Sequence, residues 1–218
     1  MKKIHVVLVV LLIVIVTVVS GIIIYKNVSQ NSELPWDSET SGDSGDVVID
    51  KEITEDVSES FWASKYIQFL TPREIMLEDE MGNFNPESLV TMREFLISLC
   101  KSCGMILDYE NLSDEMLISI LTENKLINSN NEIDLESNVT KKQVAVFLSM
   151  ADLKIRNNEQ VLEQYVIEDI KGLDDVSKTL IIHSLAKKYV DRIGKNFYPN
   201  KTVTRAEMSK ILYMFINN

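Results

Sequence analysis

The sequence predicts an all-α protein built from three copies of one helix–loop–helix unit. The frame Val-Thr-x-x-Glu/Gln, followed by an apolar residue, occurs at residues 90–95, 139–144 and 203–208. In each copy the threonine can cap a helix, and the Glu or Gln can return a bond to the amide of the cap. An apolar residue precedes each threonine by seven positions, namely Phe84, Ile133 and Phe197. Equal spacing of one signal in three places indicates an internal repeat.

A second helical stretch precedes each capping signal. The three stretches cover residues 61–70, 115–121 and 176–188. Loops rich in turn-forming residues, such as 81–86 and 193–200, separate the two helices of a copy. After each threonine the apolar residues recur at helical spacing. A helix pair of this size cannot bury its apolar face alone, so we expect the copies to pack together.

The N-terminus predicts a membrane anchor. Residues 1–3 contain two lysines, and the run that follows is predominantly apolar through residue 25. Such a run is long enough to cross a hydrocarbon core of about 30 Å as a helix. A cleaved signal peptide is the alternative, but no Ala-x-Ala-like cleavage site follows the run. We expect residues 4–25 to be a signal anchor, with residues 1–3 in the cytoplasm and the rest outside.

The segment after the anchor is expected to be a flexible linker. Residues 26–52 are polar and acidic, contain glycine and offer little apolar surface to bury. All 33 Asp and Glu residues of the chain follow the anchor, against 22 Lys and Arg in total. Because so acidic a surface repels nucleic acid, we expect no nucleic-acid partner. The acidity is otherwise typical of a solvated surface and names no partner.

No catalytic constellation or cofactor motif is present, so we expect no enzyme activity, no cofactor and no metal. Cys100 and Cys103 form a C-x-x-C pair at the end of a predicted helix. A redox pair needs a helix N-terminus to lower its thiol pKa, so two buried thiols are the favoured interpretation. A thiol-based redox protein stays an alternative. A zinc site would need further ligands, and His183 is the one histidine outside the anchor.

Several stretches resemble S-layer homology domains. Residues 197–208, which run FYPNKTVTRAEM, are similar to the family signature F-x-P-x-x-x-V-T-R-A-E-F/M. Residues 56–63, DVSESFWA, resemble the D-V-x-x-x-x-W-A opening of a repeat, and residues 82–86 resemble its G-T-F-x-P turn. Asp56 and Asp169 each lie 35 positions before the threonine of their copy. The resemblance is strongest in the third copy and weakest in the second. The repeats are then residues 53–104, 105–155 and 156–218.

The resemblance implies a pseudo-threefold helical body that attaches non-covalently to secondary cell-wall polysaccharide. Behind a membrane anchor at residues 4–25, such a protein would bridge the membrane and the wall. In family members a pyruvylated sugar lies in a groove between repeats, held by the Arg of T-R-A-E with help from the opening Asp and the Trp. Carried over to this chain, the candidate ligand-binding residues are Arg205, Asp169, Trp62 and Asp56.

The chain departs from the family pattern in two respects. Arg205 alone stands at the family's arginine position, which Met92 and Lys141 occupy in the other copies. The glycine that opens the family's G-I-V segment is replaced by Glu74, Lys125 and Lys188. These departures leave an alternative open, in which the chain is a protein-interaction module that keeps the fold without binding sugar.

Two of the candidate residues have a structural interpretation beside the functional one. Arg205 stands at the first position of a predicted helix, where the helix dipole disfavours a cation. It therefore needs an anionic partner, either a carboxylate of the protein or an external ligand. Trp62 lies on a helical face, where it can be a core residue or a platform for a sugar ring.

Overall fold

The structure is a computed structural model, and it describes residues 54–106, 112–128, 132–156 and 165–218. These residues belong to one unit, Asp50–Asn218. The predicted anchor and the predicted linker lie outside the described residues. Within the described ranges, no helix has both the length and the apolar character needed to span a membrane.

The described residues form six α-helices. They are α1 Ser64–Leu70, α2 Met92–Ser102, α3 Asp114–Glu123, α4 Lys141–Lys154, α5 Asp175–Ala186 and α6 Arg205–Ile216. Other regular structure in this part of the chain is a 3-10 turn at Thr71–Arg73 and isolated β-bridges. The all-α prediction is confirmed for these residues, and each copy of the sequence frame contributes two helices.

Threonine caps begin the second helix of every copy. Thr91, Thr140 and Thr204 each accept a hydrogen bond from the backbone N–H three residues later. In the second and third copies, the Gln or Glu at that position returns a bond to the threonine amide and completes the capping box. The first copy has only half of this arrangement, because Glu94 turns its carboxylate to Arg205 instead. The expectation of three complete boxes is therefore wrong for the first copy.

Backbone hydrogen bonds join the three copies in a closed cycle. The N–H of Val90 donates to the carbonyl of Val203 at 3.0 Å, and the N–H of Val203 donates to Val139 at 3.2 Å. The N–H of Val139 then donates to the carbonyl of Val90 at 2.9 Å. Each valine is thus both a donor and an acceptor toward the other copies. The same residue of each copy makes the same bond, which gives the body its pseudo-threefold arrangement.

The first turn of each second helix lies against the loop of another copy. The backbone N–H of Arg205, in α6, donates to the carbonyl of Ser88 at 2.9 Å. Equivalent bonds of 2.8 Å run from Lys141 to Lys201 and from Met92 to Ser137. The first amides of a helix have no partner inside it, and here the neighbouring loop supplies one. Each helix N-terminus is therefore assembled from two copies.

Helix packing follows the same cyclic order. The second helix of each copy contacts the first helix of the next: α2 packs on α3, α4 on α5, and α6 on α1. The apolar loop residues that precede the caps also face inward. Phe84 and Phe197 are completely buried, and Ile133 is partly buried. The core is therefore shared between copies, which is why a single helix pair would leave its apolar face exposed.

The positions at which the family has glycine keep a glycine-like backbone. Glu74, Lys125 and Lys188 have φ angles of 54°, 59° and 59°. This left-handed conformation costs a non-glycine residue about 1–2 kcal/mol. Each of the three lies at the end of a helix or helical turn, where a left-handed residue lets the next amide bond back to the helix. The backbone geometry of the repeat has thus been retained although its glycines have not.

Candidate functional site

Two grooves lie at equivalent positions between copies. The first, of about 230 Å³, is lined by Leu77, Thr91, Arg93, Glu94, Ile97 and Ser98. We call it the Arg205 groove, because Arg205 contacts two of these residues. The second, of about 330 Å³, has among its lining residues Trp62, Lys141, Asp191, Tyr198, Lys201 and Glu207. We call it the Lys141 groove. Glu94 and Glu207 are the corresponding residues of the two grooves, since each follows its cap by three positions.

The guanidinium of Arg205 is bound by other groups of the protein. The Nε of Arg205 donates to the carbonyl of Phe84 at 2.6 Å, and Nη2 donates to the carbonyl of Leu77 at 2.5 Å. The remaining nitrogen, Nη1, forms an ion pair with Glu94. The guanidinium carbon lies 4.5 Å from the centre of the Phe84 ring, within cation–π range. Only 13% of the side chain is exposed, and burial lowers the pKa of Arg205.

Of the two partners that the sequence left open for Arg205, a carboxylate of the protein is the one present. The residue joins the third copy to the first, because Arg205 begins α6 and its contacts belong to the loop and helix of the first copy. Each nitrogen of the guanidinium thus has a partner within the protein, and the charge of Arg205 is paired with Glu94.

Asp56 is a clamp on the loop that carries Phe84. Its carboxylate accepts hydrogen bonds from the backbone N–H groups of Phe84 at 2.8 Å and Asn85 at 2.7 Å. Asn85 has a φ of 56°, a conformation that a non-glycine residue adopts at a cost. The two bonds to a charged acceptor stabilise that turn. Asp56 and Arg205 therefore bind the same loop: Asp56 accepts bonds from its N–H groups, and Arg205 donates to the carbonyl of Phe84.

Asp169 makes the equivalent clamp in the third copy. Its carboxylate accepts bonds from the N–H groups of Phe197 at 2.9 Å and Tyr198 at 2.6 Å. Tyr198 has a φ of 61°, so this turn has the same form. The tyrosine ring is 44% exposed and lines the Lys141 groove. Asp169 thus positions a residue of that groove through the backbone.

Lys141 is the counterpart of Arg205 in the second groove. It is the first residue of α4, as Arg205 is of α6, and its Nζ lies 4.8 Å from the centre of the Phe197 ring. Within the ranges that the structure describes, the Lys141 ammonium makes no hydrogen bond or ion pair. Lys141 is half-buried, and this burial lowers the pKa of its ammonium. The groove therefore presents a half-buried cation.

Two exposed aromatic residues line the same groove as Lys141. Trp62 is 52% exposed and lines the Lys141 groove, so it is a surface platform and not a core residue. Its ring centre lies 5.8 Å from that of Phe61 and 6.5 Å from that of Tyr66, and these contacts fix its orientation. Together with Tyr198 it gives the groove two exposed aromatic faces. A groove lined by a cation and by exposed aromatic residues can bind an anionic ligand that also has an apolar surface.

The four predicted site residues fall in two places. Trp62 lines the Lys141 groove, and Asp169 reaches that groove through the loop that it clamps. Asp56 and Arg205 lie together at the other junction. That these four bind a ligand stays a prediction. Lys141 is not among the four predicted residues, and its place in the Val-Thr-x-x-Gln frame was the signal that could have identified it.

The two thiols line neither of these grooves. Cys100 is buried and Cys103 is partly buried, and both are free. Burial raises the pKa of Cys100 to about 12 and that of Cys103 to about 11. Such thiols hold very little thiolate at neutral pH, and the thiolate is the reactive form. Among the described residues, no group of three or more His, Cys, Asp and Glu side chains is arranged to hold a metal ion.

A helical body of cyclically joined repeats, with its grooves between copies, belongs to the class of repeat-built binding modules. The sequence model of the S-layer homology domain matches residues 55–96 and 186–209. Both segments therefore belong to the S-layer homology domain family. No curated protein matches it significantly.

The two matched segments contain the clamp of Asp56 and the start of α2 in the first copy, and the loop and start of α6 in the third. The second copy falls outside both segments, yet the structure gives it the same cap and the same cyclic bonds. S-layer homology domains are binding modules of the cell surface. The family therefore associates this chain with the cell envelope and with binding to the cell wall.

Proposed function

We propose that this protein binds an anionic cell-wall polysaccharide in the Lys141 groove. The observation that carries the proposal is the Lys141 ammonium. It is half-buried, it lies over Phe197, and no protein anion pairs with it among the described residues. A cation partly removed from water is unfavourable until an anion joins it. A carboxylate on a sugar, including that of a pyruvate ketal, would supply the missing partner.

The shape of the groove is consistent with a saccharide. Its volume of about 330 Å³ lies within the range of small-ligand sites, about 300–1,000 Å³. Trp62 and Tyr198 offer exposed aromatic faces against which the apolar face of a sugar ring can lie. Asp169 contributes by fixing the turn of Tyr198. In this proposal Arg205 and Asp56 act as structural residues of the opposite junction.

The proposed cellular role is attachment between the membrane and the wall. Residues 4–25 would hold the chain in the membrane as a single span, with the N-terminus in the cytoplasm. The binding domain would then face the wall at the far end of the linker. The apolar run and the lysines before it support this part of the proposal.

A binding assay with the full-length chain tests the proposed function. Purified cell wall is compared before and after removal of its secondary polysaccharide, and co-sedimentation of the protein is measured. We expect binding only to the wall that keeps the polysaccharide. Lys141→Gln should weaken it at least about tenfold, which corresponds to about 1.4 kcal/mol. Lys171→Gln is the matched control, because Lys171 is an exposed lysine that does not line the groove.

One observation favours a second candidate function. The groove that contains the family-like arginine is closed by Glu94, and none of the three G-I-V positions has kept its glycine. Both features are expected of a module that keeps the fold for protein interaction and no longer binds sugar. If the wild-type chain binds both wall preparations equally weakly, this second function replaces the first.

A further inference from the structure

The corresponding glutamates of the two grooves behave differently. In the Arg205 groove, Glu94 leaves its capping box and pairs with Arg205. In the Lys141 groove, Glu207 stays in its box, where its Oε2 accepts a bond from the N–H of Thr204 at 3.2 Å. Its other oxygen, Oε1, forms an ion pair with Lys201. The same residue type thus neutralises the groove cation in one place and leaves it free in the other.

The residue three positions before each cap accounts for the difference. This position is Ser88 in the first copy and Lys201 in the third, and the two correspond in space as well. The carbonyl of Ser88 accepts the first helical N–H of α6, and the carbonyl of Lys201 accepts that of α4. A serine offers no charge to a neighbouring carboxylate, whereas a lysine does. Glu94 thus pairs with Arg205, whereas Glu207 pairs with Lys201 and lines the same groove as Lys141.

We propose that Lys201 keeps the Lys141 groove open by holding Glu207 away from Lys141. Lys201 is a positioning residue in this scheme, since it acts through Glu207. Without it, Glu207 would turn to Lys141 as Glu94 turns to Arg205, and the groove would lose its free cation. The consequence for ligand binding rests on the proposed function, whereas the exchange of ion pairs does not.

The other acidic groups that face Lys141 are also engaged. Asp191 pairs with Lys210 at 2.5 Å. Asp169 uses both carboxylate oxygens on the backbone amides of its loop. Asp191 and Glu207 are thus the two acids of the groove that a lysine engages, and Glu207 is the one that corresponds to Glu94. Burial is the main cause of the lowered pKa of Lys141, Asp191 opposes it most, and the charge of Lys201 adds to the lowering.

A double-mutant cycle on the full-length chain tests the exchange without any ligand. The titration of the Lys141 ammonium is followed by NMR in the wild type, Lys201→Ser, Glu207→Gln and the double variant. If Glu207 turns to Lys141 only when Lys201 is absent, Glu207→Gln will lower the pKa of Lys141 more in the Lys201→Ser background than in the wild type. Equal effects of Glu207→Gln in the two backgrounds would overturn the proposal. Loss of the Lys201 charge alone cannot produce this difference.

Binding of purified wall polysaccharide provides the second readout. Lys201→Ser should weaken binding about fivefold, since a partly exposed ion pair competes with the ligand to about that extent. Adding Glu207→Gln should restore the affinity, and Lys201→Arg should keep it. A double variant that stays as weak as Lys201→Ser would show that Lys201 contacts the ligand directly, which contradicts the positioning role. Absence of binding in the wild type would refute the proposed function, and the titration would still decide the role of Lys201.

Discussion

The Arg205 groove and the Lys141 groove are built from equivalent residues of the same repeat, yet they differ in what their cation does. In each, the first residue of a helix lies over a buried phenylalanine of the neighbouring copy, at 4.5 Å for Arg205 and 4.8 Å for Lys141. The nitrogens of Arg205 donate to two backbone carbonyls and form an ion pair with Glu94. Lys141 has no such partners among the described residues. The Arg205 groove therefore joins two copies through a paired cation, whereas the Lys141 groove presents a cation that no described acid pairs.

The copy whose sequence most resembles the family signature is therefore not the one whose cation is left unpaired. The stretch that matches the family signature best, T-R-A-E at residues 204–207, contains the cation that Glu94 pairs. The cation without such a partner among the described residues belongs to T-K-K-Q at residues 140–143, which matches the signature poorly. A guanidinium has enough donors to satisfy a carboxylate and two carbonyls at once, and a lysine has a single ammonium on a flexible stem. The residue type that suits a ligand best is also the one that a protein can most easily engage internally.

The largest expected effect is on stability, and it contrasts the two cations directly. Arg205→Ala removes two hydrogen bonds and leaves the partly buried Glu94 unpaired, so it should lower the free energy of unfolding by about 2–4 kcal/mol. Lys141→Ala removes a cation–π contact and should cost about 1 kcal/mol or less. Urea denaturation of the two full-length variants measures both values. Equal losses would contradict the division into a structural and a binding groove.

The two aspartate clamps give an effect of intermediate size. Asp56→Asn and Asp169→Asn each weaken a pair of bonds to backbone amides, and each should cost about 1 kcal/mol of stability because the carboxylates are exposed. The two variants should differ in binding to the cell wall. Only Asp169→Asn disturbs the loop of Tyr198 and should weaken that binding. A stronger binding defect in Asp56→Asn would move the site to the Arg205 groove.

The smallest expected effect concerns the residues with a left-handed backbone at the family's glycine positions. Lys188→Gly removes the strain of a φ of 59° at an exposed position and should raise stability by about 0.5–1 kcal/mol. Glu74→Gly relieves the same strain but also removes an ion pair of 3.6 Å with Lys101, so its gain should be smaller. Thermal melting of both variants checks the order. A loss of stability in Lys188→Gly would mean that its side chain has an unrecognised role.

The local parts of this structure could be predicted from the sequence. The caps at Thr91, Thr140 and Thr204 and the helices after them follow from signals within a few residues. The buried positions of Phe84 and Phe197 follow from their fixed distance to the caps. These features depend on short-range interactions, which the sequence contains explicitly.

The features that join distant parts of the chain could not be predicted in this way. Glu94 and Glu207 occupy the same position of the frame, yet the cation in the groove of each belongs to another copy, Arg205 in one case and Lys141 in the other. The partner of Arg205 lies on another copy, more than one hundred residues earlier in the sequence. The exposure of Trp62 likewise depends on how α1 packs on α6, which no local pattern contains.

The cycle of valine bonds has a consequence for how the chain comes to be folded. Val90 and Val203 lie more than one hundred residues apart in the sequence, so the cycle joins the first copy directly to the third. During synthesis the bond between them cannot form until the third copy has emerged, which makes closure of the cycle a late step in folding. A chain cut just before Val203 would lose two of the three bonds and keep only the one from Val139 to Val90. The cycle therefore makes the first two copies depend on the third for their own hydrogen bonds.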